Sequence, residues 1–362
     1  MMDYITTSNL YWDRFDLSVV KQMLFTEEEL WRCTAKKGDL LICEGGDIGR
    51  AAIWNYDYDI RIQNHIHRLR GYGGINHRFY YFVFLLYKLS NRIGGKGVAI
   101  QGLSSGDLHK LEVPLPPECE QIRLVKTIDK WFKFVDLLEQ EQENLHSLAQ
   151  STKSKILGLA ISGKLVPQDP NDEPAIELLK RINPAFEPCD NSHYENLPQG
   201  WAFCKIKDIF NITMGQSPTG ESINGVKGIE FHQGKIHFTE SYLSQSGVYT
   251  DQPTKIAEVD SLLLCVRAPV GVLNITQRKI CIGRGLCALK PKYEIDNLYW
   301  LFILTAYKDY FESNATGSTF KAISGDTIKN AVIKLPPLQE QERILYSIIS
   351  LYESLDAITA EL

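Results

Sequence analysis

The sequence predicts an α+β fold: two homologous globular α/β blocks, related by a pseudo-two-fold repeat and separated by long helices that pair as an antiparallel coiled coil. Three observations lead there. The chain carries a duplication with a period of about 220 residues. Each copy ends in a segment with heptad spacing, and a proline-rich break lies between the copies.

The repeat holds at several points in order. Leu115-Pro116-Pro117 with Glu120-Gln121 and Arg123 recurs as Leu335-Pro336-Pro337 with Glu340-Gln341 and Arg343. Ser105-Gly106-Asp107 recurs as Ser324-Gly325-Asp326, and Gly38–Cys43 resembles Val259–Cys265, followed by Gly49 and Gly271 respectively. The aromatic stretch at Tyr80-Tyr81-Phe82 has its partner at Tyr299-Trp300-Leu301. These matches divide 362 residues into a first block over 1–114, a helix over 115–163, a linker over 164–196, a second block over 197–334 and a distal helix over 335–362.

The heptad positions of the first helix are Ile128, Trp131, Val135, Leu138, Gln142, Leu145, Ala149, Thr152, Ile156 and Leu159. Those of the second are Ile344, Ile348, Leu351, Leu355, Ile358 and Leu362. A seam repeating every 3.5 residues keeps facing a partner, so Ile128, Val135, Leu138, Leu145 and Ile156 are expected to pair with Ile344, Ile348, Leu351, Leu355 and Ile358. At about 1.5 Å per residue, a helix from 120 to 162 would be roughly 60 Å long. Each Leu-Pro-Pro enforces an extended approach to its helix. Pro167, Pro170 and Pro174 end the first helix, and a short helix from Ala175 to Ile182 precedes the rest of the linker.

The net charge of −5 argues against a protein coated in positive charge. Its distribution changes that reading. The blocks are +1 and +3, whereas the first helix, linker and distal helix are −1, −4 and −4, which leaves nucleic acid open as a partner. Eight cysteines with no CxxC pair read as free, mostly buried thiols. The N-terminus has no signal-peptide pattern, and the most apolar run, Phe79 to Leu89, is too short to span a bilayer. A soluble cytoplasmic protein with no membrane partner is expected.

Catalytic motifs fail on context. Gly158, Gly163 and Lys164 have phosphate-loop spacing, but Leu165 stands where a magnesium-binding hydroxyl belongs and a helix precedes them. Asn183-Pro184-Ala185-Phe186 resembles an adenine methyltransferase tetrapeptide, yet it follows a helix and no Gly-rich cofactor loop precedes it. His65 and His67 alternate on an expected strand, with no third ligand to complete a metal site. No catalytic or metal residue is expected.

Recognition candidates are more numerous. The loop Gly317-Ser318-Thr319-Phe320-Lys321 sets hydroxyls and a cation where the first block has Lys96, Gln101 and Ser104. Such loops suit phosphate and base-edge contacts, although a plain turn before the last strand would also account for them. Further candidates for DNA are Tyr11, Trp12 and Arg14 on an early loop, then Asn64, His65, His67 and Arg68. In the second block they are Gln216, Ser217, Thr219, Arg267 and Arg284. Arg14, Lys96, Arg284 and Lys321 lead, because Arg and Lys make the commonest guanine and phosphate contacts.

The run Ser162-Gly163-Lys164-Leu165-Val166-Pro167-Gln168-Asp169-Pro170 strongly resembles the central spacer of type I restriction–modification specificity (S) subunits, and Leu197-Pro198-Gln199-Gly200-Trp201 resembles that family's target-recognition-domain opener. The resemblance implies two target recognition domains, each reading half of a split, asymmetric sequence in double-stranded DNA. The helices would act as a ruler and as the dock for two methyltransferase (M) subunits, with restriction (R) subunits joining the complex. S-adenosylmethionine, ATP and magnesium would sit on those partners, and none on this chain, which would itself catalyse nothing. A coiled-coil scaffold with two globular heads and no DNA role is the alternative, with a stand-alone adenine methyltransferase behind it. The first block departs from the pattern: it lacks the Leu-Pro-Gln-Gly-Trp opener, and a stretch equivalent to 197–220 is expected to be missing. The distal helix is also expected to be shorter than the first.

Overall fold

A computed structural model describes residues 1–63, 65–93, 103–188, 197–317 and 321–360. Asn64, Lys96, Gln101, Ser318 and Thr319 lie outside these. The chain divides into two compact units, Met1–Gln140 and Glu141–Leu362.

In the first unit a four-stranded sheet runs in the order Lys21–Met23, Met2–Ile5, Ile60–Ile62, Thr34–Ala35, and Met2–Ile5 lies parallel to Ile60–Ile62. A three-stranded antiparallel sheet centres on Leu40–Cys43, whose four residues are all buried. The His77–Leu89 helix supplies Phe79 to Phe84 and Tyr87 to the core beside it. Its N-terminus is capped by Asn76, whose carbonyl oxygen accepts the amides of Arg78 and Phe79.

The second unit repeats this plan with longer strands. Ser261–Cys265, buried throughout, is central to a four-stranded sheet with Leu273–Thr276, Leu286–Pro291 and Phe210–Met214. In a five-stranded sheet Ile229–His232 runs parallel to Ile280–Ile282. The Asn297–Ala306 helix, capped by Asp296, buries Tyr299, Trp300, Leu301, Ile303 and Leu304. Ser104 and Ser324 each cap a six-residue helix, Ser105–Lys110 and Gly325–Asn330, so the structural counterpart of Ser324 is Ser104, one residue before the Ser105 of the sequence match. The glutamines of the two Glu-Gln pairs also share one task. Gln121 donates to the Pro116 carbonyl at 2.9 Å, and Gln341 to the Pro336 carbonyl at 2.8 Å, holding each Pro-Pro turn onto its helix.

The first long helix spans Glu118–Ile161 and the distal one Leu338–Ala360. Within the second unit they run antiparallel. Lys153 bonds Asp356 at 2.6 Å and its carbonyl accepts the Tyr352 hydroxyl, while Ile156, Leu157 and Ala160 share a buried core with Ile344, Leu345 and Ile348. Leu355 packs partly buried against that core, whereas Leu351 and Ile358 are exposed. The pairing is narrower than the heptads imply. The Lys153–Asp356 register brings Ala360 level with about residue 149, so the described distal helix ends before it could face Leu145, which is exposed. Earlier on the first helix, Ile128 packs instead into the core of its own block, and Val135 and Leu138 are exposed.

The linker holds the Ala175–Ile182 helix at the expected place. Gly158 is inside the long helix and Gly163 just beyond it at φ +68°, so no phosphate loop forms there. Asn183 ends the short helix, its amide donating to the Leu179 carbonyl. Of the described cysteines, Cys43, Cys204, Cys265, Cys281 and Cys287 are buried thiols. Among the described residues no helix is long and apolar enough to cross a membrane.

Candidate nucleic-acid interface

The second unit brings most of its candidate residues onto adjoining turns of backbone. Gln216 and Ser217 follow the Phe210–Met214 strand, where the Gln216 amide donates to the Ile282 carbonyl at 3.0 Å. The Ser217 hydroxyl accepts the Arg284 amide at 3.4 Å. Arg284 occupies the turn between Ile280–Ile282 and Leu286–Pro291. The Val266 amide donates to the Gly285 carbonyl at 2.9 Å, which sets Arg267 beside that turn. Arg267 in turn pairs with Ala322, and the Ala268 amide donates to the Lys321 carbonyl at 3.2 Å. Arg267, Arg284 and Lys321 are all exposed, and among the described residues none forms an ion pair. Three uncompensated cations on linked turns, with Gln216 and Ser217 beside them, form a surface suited to phosphates and base edges. Thr219 is exposed two residues further on, at the start of the Gly220–Ser222 turn.

Two neighbours escape sequence reasoning. The Gly283 amide donates to the His232 carbonyl at 2.8 Å, and Gly285 packs against the Gln233 carbonyl, so exposed Gln233 and Lys235 flank the same turn. A lone Gln and Lys in a loop carry no signal to mark them.

Behind this surface lies a buried ionic network. Glu230 accepts Arg278 in a two-pronged contact, together with the Ser246 amide at 2.6 Å and His232 Nε2 at 2.9 Å. Burial alone would raise the Glu230 carboxyl, but hydrogen bonds from Arg278, Ser246 and His232 outweigh it and hold the pKa at about 2. Burial lowers that of His232 against the pull of Glu230. Arg278 also donates to the carbonyls of Leu243 and Ser244, both at 2.9 Å, so the network fixes the loop before Tyr249–Thr250.

In the first unit Tyr11 and Arg14 face each other across a tight hairpin of Leu10–Tyr11 and Arg14–Phe15. The guanidinium of Arg14 lies 4.9 Å from the Tyr11 ring centre, and that of Arg50 lies 5.1 Å away. Arg50 is a third residue that the sequence does not flag, and its guanidinium also donates to the Thr7 carbonyl at 2.6 Å. Trp12 packs partly buried against the core, and Asp13, at φ +58° in the turn, bonds Arg78. Arg78 also reaches Asp129 at 2.9 Å. Arg68 is half-buried and donates to the Thr34 carbonyl, so its guanidinium is engaged within the block. His65 and His67 approach Glu44 at 3.6 and 4.0 Å, and His67 also contacts the Leu103 carbonyl at 2.6 Å. Among the described residues no His, Cys, Asp and Glu group has the makings of a metal site.

The backbone frames of the two blocks coincide while their side chains differ. The Glu44 amide donates to the His65 carbonyl at 2.8 Å, as Val266 does to Gly285. The Gln63 amide donates to Ile5, as Gly283 does to His232. At these matched places the first block has Glu44, Gly45 and His65, and the second has Val266, Arg267 and Gly285.

Residues 2–147 and 198–362 match the family described as type I restriction modification DNA specificity domain. The chain belongs to this family. It is 28% identical over 274 residues to a putative type I restriction enzyme MjaX specificity subunit of Methanocaldococcus jannaschii, covering 73% of this chain and 59% of that one. It is 26% identical over 326 residues to the EcoEI specificity subunit of Escherichia coli, covering 69% and 55%. The chain thus spans little more than half the length of these curated relatives. The HsdS subunit of Thermoanaerobacter tengcongensis shares the fold at a TM-score of 0.62 and 21% identity, over 99% of this chain and 85% of that one. A chain from a solved type I R-M system does so at a TM-score of 0.64 and 22% identity, over 99% and 86%. For a DNA specificity domain, two matched segments flanking a linker agree with two copies of one recognition frame.

Proposed function

We propose that this chain is the DNA-sequence specificity subunit of a type I restriction–modification complex in the cytoplasm. Each block reads one half of a split, asymmetric target, and the helices dock two methyltransferase subunits, through which restriction subunits join. The chain supplies recognition and no catalysis; S-adenosylmethionine, ATP and magnesium belong to its partners. The observation that carries this reading is the shared frame with different side chains: Glu44, Gly45 and His65 in one block stand where Val266, exposed Arg267 and Gly285 stand in the other. A scaffold with two heads needs no such divergence on matching turns. Tyr11, Arg14, Gln216, Ser217, Thr219, Arg267, Arg284 and Lys321 are assigned to DNA contact, together with Asn64, Lys96, Gln101, Ser318 and Thr319 from outside the described residues. Arg68, engaged with Thr34, is assigned the weaker part.

Co-expression with a cognate methyltransferase subunit, followed by methylome sequencing, tests the proposal. The expected result is a two-part adenine-methylated motif in which exchange of residues 197–334 changes one half only. Methylation without a two-part motif, or a motif indifferent to that exchange, overturns it.

A further inference from the structure

The first block carries a three-way ionic junction whose counterpart in the second block is apolar. Arg78, in the first turn of the His77–Leu89 helix, bonds Asp13 through Nη1. Its other edge bonds Asp129 of the long helix, from Nε at 3.1 Å and from Nη2 at 2.9 Å. The same guanidinium lies 4.8 Å from the ring centres of Tyr81 and Phe82, and Phe82 stacks on Phe132 of the long helix at 5.7 Å. Arg78 is only 28% exposed, so its charge is held largely out of water between two carboxylates and two rings.

The junction reaches the surface already assigned to DNA. Asp13 stands in the two-residue turn that joins Leu10–Tyr11 to Arg14–Phe15. Its amide donates to the Ala51 carbonyl at 3.1 Å, and Trp12 beside it meets the Tyr81 ring edge to face at 6.1 Å. Exposed Arg14 follows directly, stacked on Tyr11. Any shift of this turn therefore carries Tyr11 and Arg14 with it.

The second block makes the same junction without ions. Counted from the helix caps Asn76 and Asp296, Leu298 stands where Arg78 does. Counted from the two Glu-Gln pairs, Ile349 stands where Asp129 does. Both are partly buried against the core of their block. The fold needs no charge at this place, and an apolar pair holds it without desolvating ions. What a guanidinium between two carboxylates adds is direction, because its planar fork fixes both partners in one geometry.

We infer that Arg78 is a positioning residue for DNA recognition: it clamps the Tyr11–Arg14 hairpin to the long helix through Asp13 and Asp129, so the hairpin takes its place from the helix as well as from its own block. The inference rests on the proposed DNA contact by Tyr11 and Arg14.

The sign of the effect separates positioning from plain electrostatics. Asp13→Asn and Asp129→Asn each remove a negative charge, which by itself would strengthen the attraction to DNA. Positioning requires the reverse, since the hairpin loses an arm of its clamp. Arg78→Lys keeps the charge but cannot span both carboxylates. Asparagine tolerates the φ of +58° at residue 13, and the two aspartate side chains are 43% and 32% exposed, so both variants should melt within about 2 °C of the parent.

Two measurements test the inference. In the full chain alone, hydrogen–deuterium exchange over residues 10–16 should quicken about threefold in all three variants. In the complex assembled with methyltransferase subunits, affinity for a duplex carrying its methylated motif should fall about fivefold for each, and neither asparagine should cause further loss in an Arg14→Ala background. Unchanged exchange in the three variants overturns the inference whatever the DNA result. So does tighter binding by the asparagine variants, a loss that adds in full to that of Arg14→Ala, or release of the methyltransferase subunits. A complex indifferent to Arg14→Ala, with exchange still quickened, supports the clamp and overturns only the assignment of Arg14 to DNA.

Discussion

Gly49 and Gly271 hold the same conformation in the two halves of the chain. Both have φ +84°, and the Gly49 amide donates to the Cys43 carbonyl at 2.9 Å where the Gly271 amide donates to that of Cys265 at 3.0 Å. Each turn returns the chain from a fully buried strand, and only glycine adopts that φ without strain.

Alanine at these positions separates backbone strain from crowding. A Cβ on Gly49 would lie 2.5 Å from Ile93 Cδ1, and one on Gly271 would lie 3.1 Å from the flexible Lys308 Cγ. Gly271→Ala should therefore cost about 1–2 kcal/mol from the left-handed φ, and Gly49→Ala about 1 kcal/mol more. Urea denaturation followed by circular dichroism measures both; equal losses would show that Ile93 moves aside freely.

The buried network of the second block predicts acid sensitivity. The folded-state pKa of Glu230 is depressed to about 2, so its stabilisation is complete above its unfolded value and is lost as pH falls from about 4.5 towards 2. His232 is depressed too, so the stability tied to its neutral form declines as pH drops below its unfolded value near 6.5. Both terms act in one direction. Glu230→Gln should cost about 2 kcal/mol at pH 7, because half-buried Arg278 loses its counter-ion, and the difference from the parent should shrink towards pH 2. Melting curves between pH 7 and pH 2 check this.

Glu340 predicts the opposite sign. Burial raises its pKa against the hydrogen bonds from Gln168 and Trp201 and the charge of Arg343. A raised folded-state pKa gives stability that is full below the unfolded value and is lost as pH rises through the folded value. Glu340→Gln keeps an oxygen for Gln168 and removes the charge. It should stabilise the chain by about 1 kcal/mol at pH 8 and leave it unchanged at pH 4. Calorimetry at the two pH values decides it, and destabilisation at pH 8 would mean that the carboxylate is needed by Arg343.

The architecture was legible because it rests on local and repeated signals: heptads for the helices, a Leu-Pro-Pro before each of them, prolines around the short helix. The recognition surface was legible in part. Arg267, Arg284 and Lys321 stand out as cations on loops, but only pairing across 19 to 67 residues of sequence brings them to Ser217 and one another. Arg50 and Gln233 have no pattern of their own and join the surface through the sheet. Arg68 misleads for the converse reason, since nothing local reveals that the Thr34 carbonyl captures its guanidinium.

The exposed cations carry a prediction of their own. Arg284→Ala and Lys321→Ala remove charges that have no ion-pair partner among the described residues, so stability should change by less than about 0.5 kcal/mol. If each meets a phosphate, the slope of log affinity against log salt should fall by roughly 1 per substitution for the assembled complex on its target. If Arg284 reads a guanine, its loss should cost about 1–3 kcal/mol and relax one position of the motif. Binding titrations at several salt concentrations distinguish the two, and an unchanged affinity for both variants would remove these residues from the interface.

The two long helices should respond differently to the same change. Ile348 is fully buried against Ile156, Leu157 and Ala160, so Ile348→Asp places a charge in that core and should cost at least 3 kcal/mol. Leu138 is 70% exposed, beyond the reach of the described distal helix, and Leu138→Asp should leave the melting temperature of the isolated chain within about 1 °C. An exposed apolar stripe that does not stabilise its own chain is the natural seat for a partner. If the helices dock methyltransferase subunits as proposed, the combined Leu138→Asp and Leu145→Asp chain should fold normally yet lose those subunits in co-purification. Retention of those subunits would move the dock away from this helix, whereas unfolding of the double variant would show that the stripe is covered within the chain.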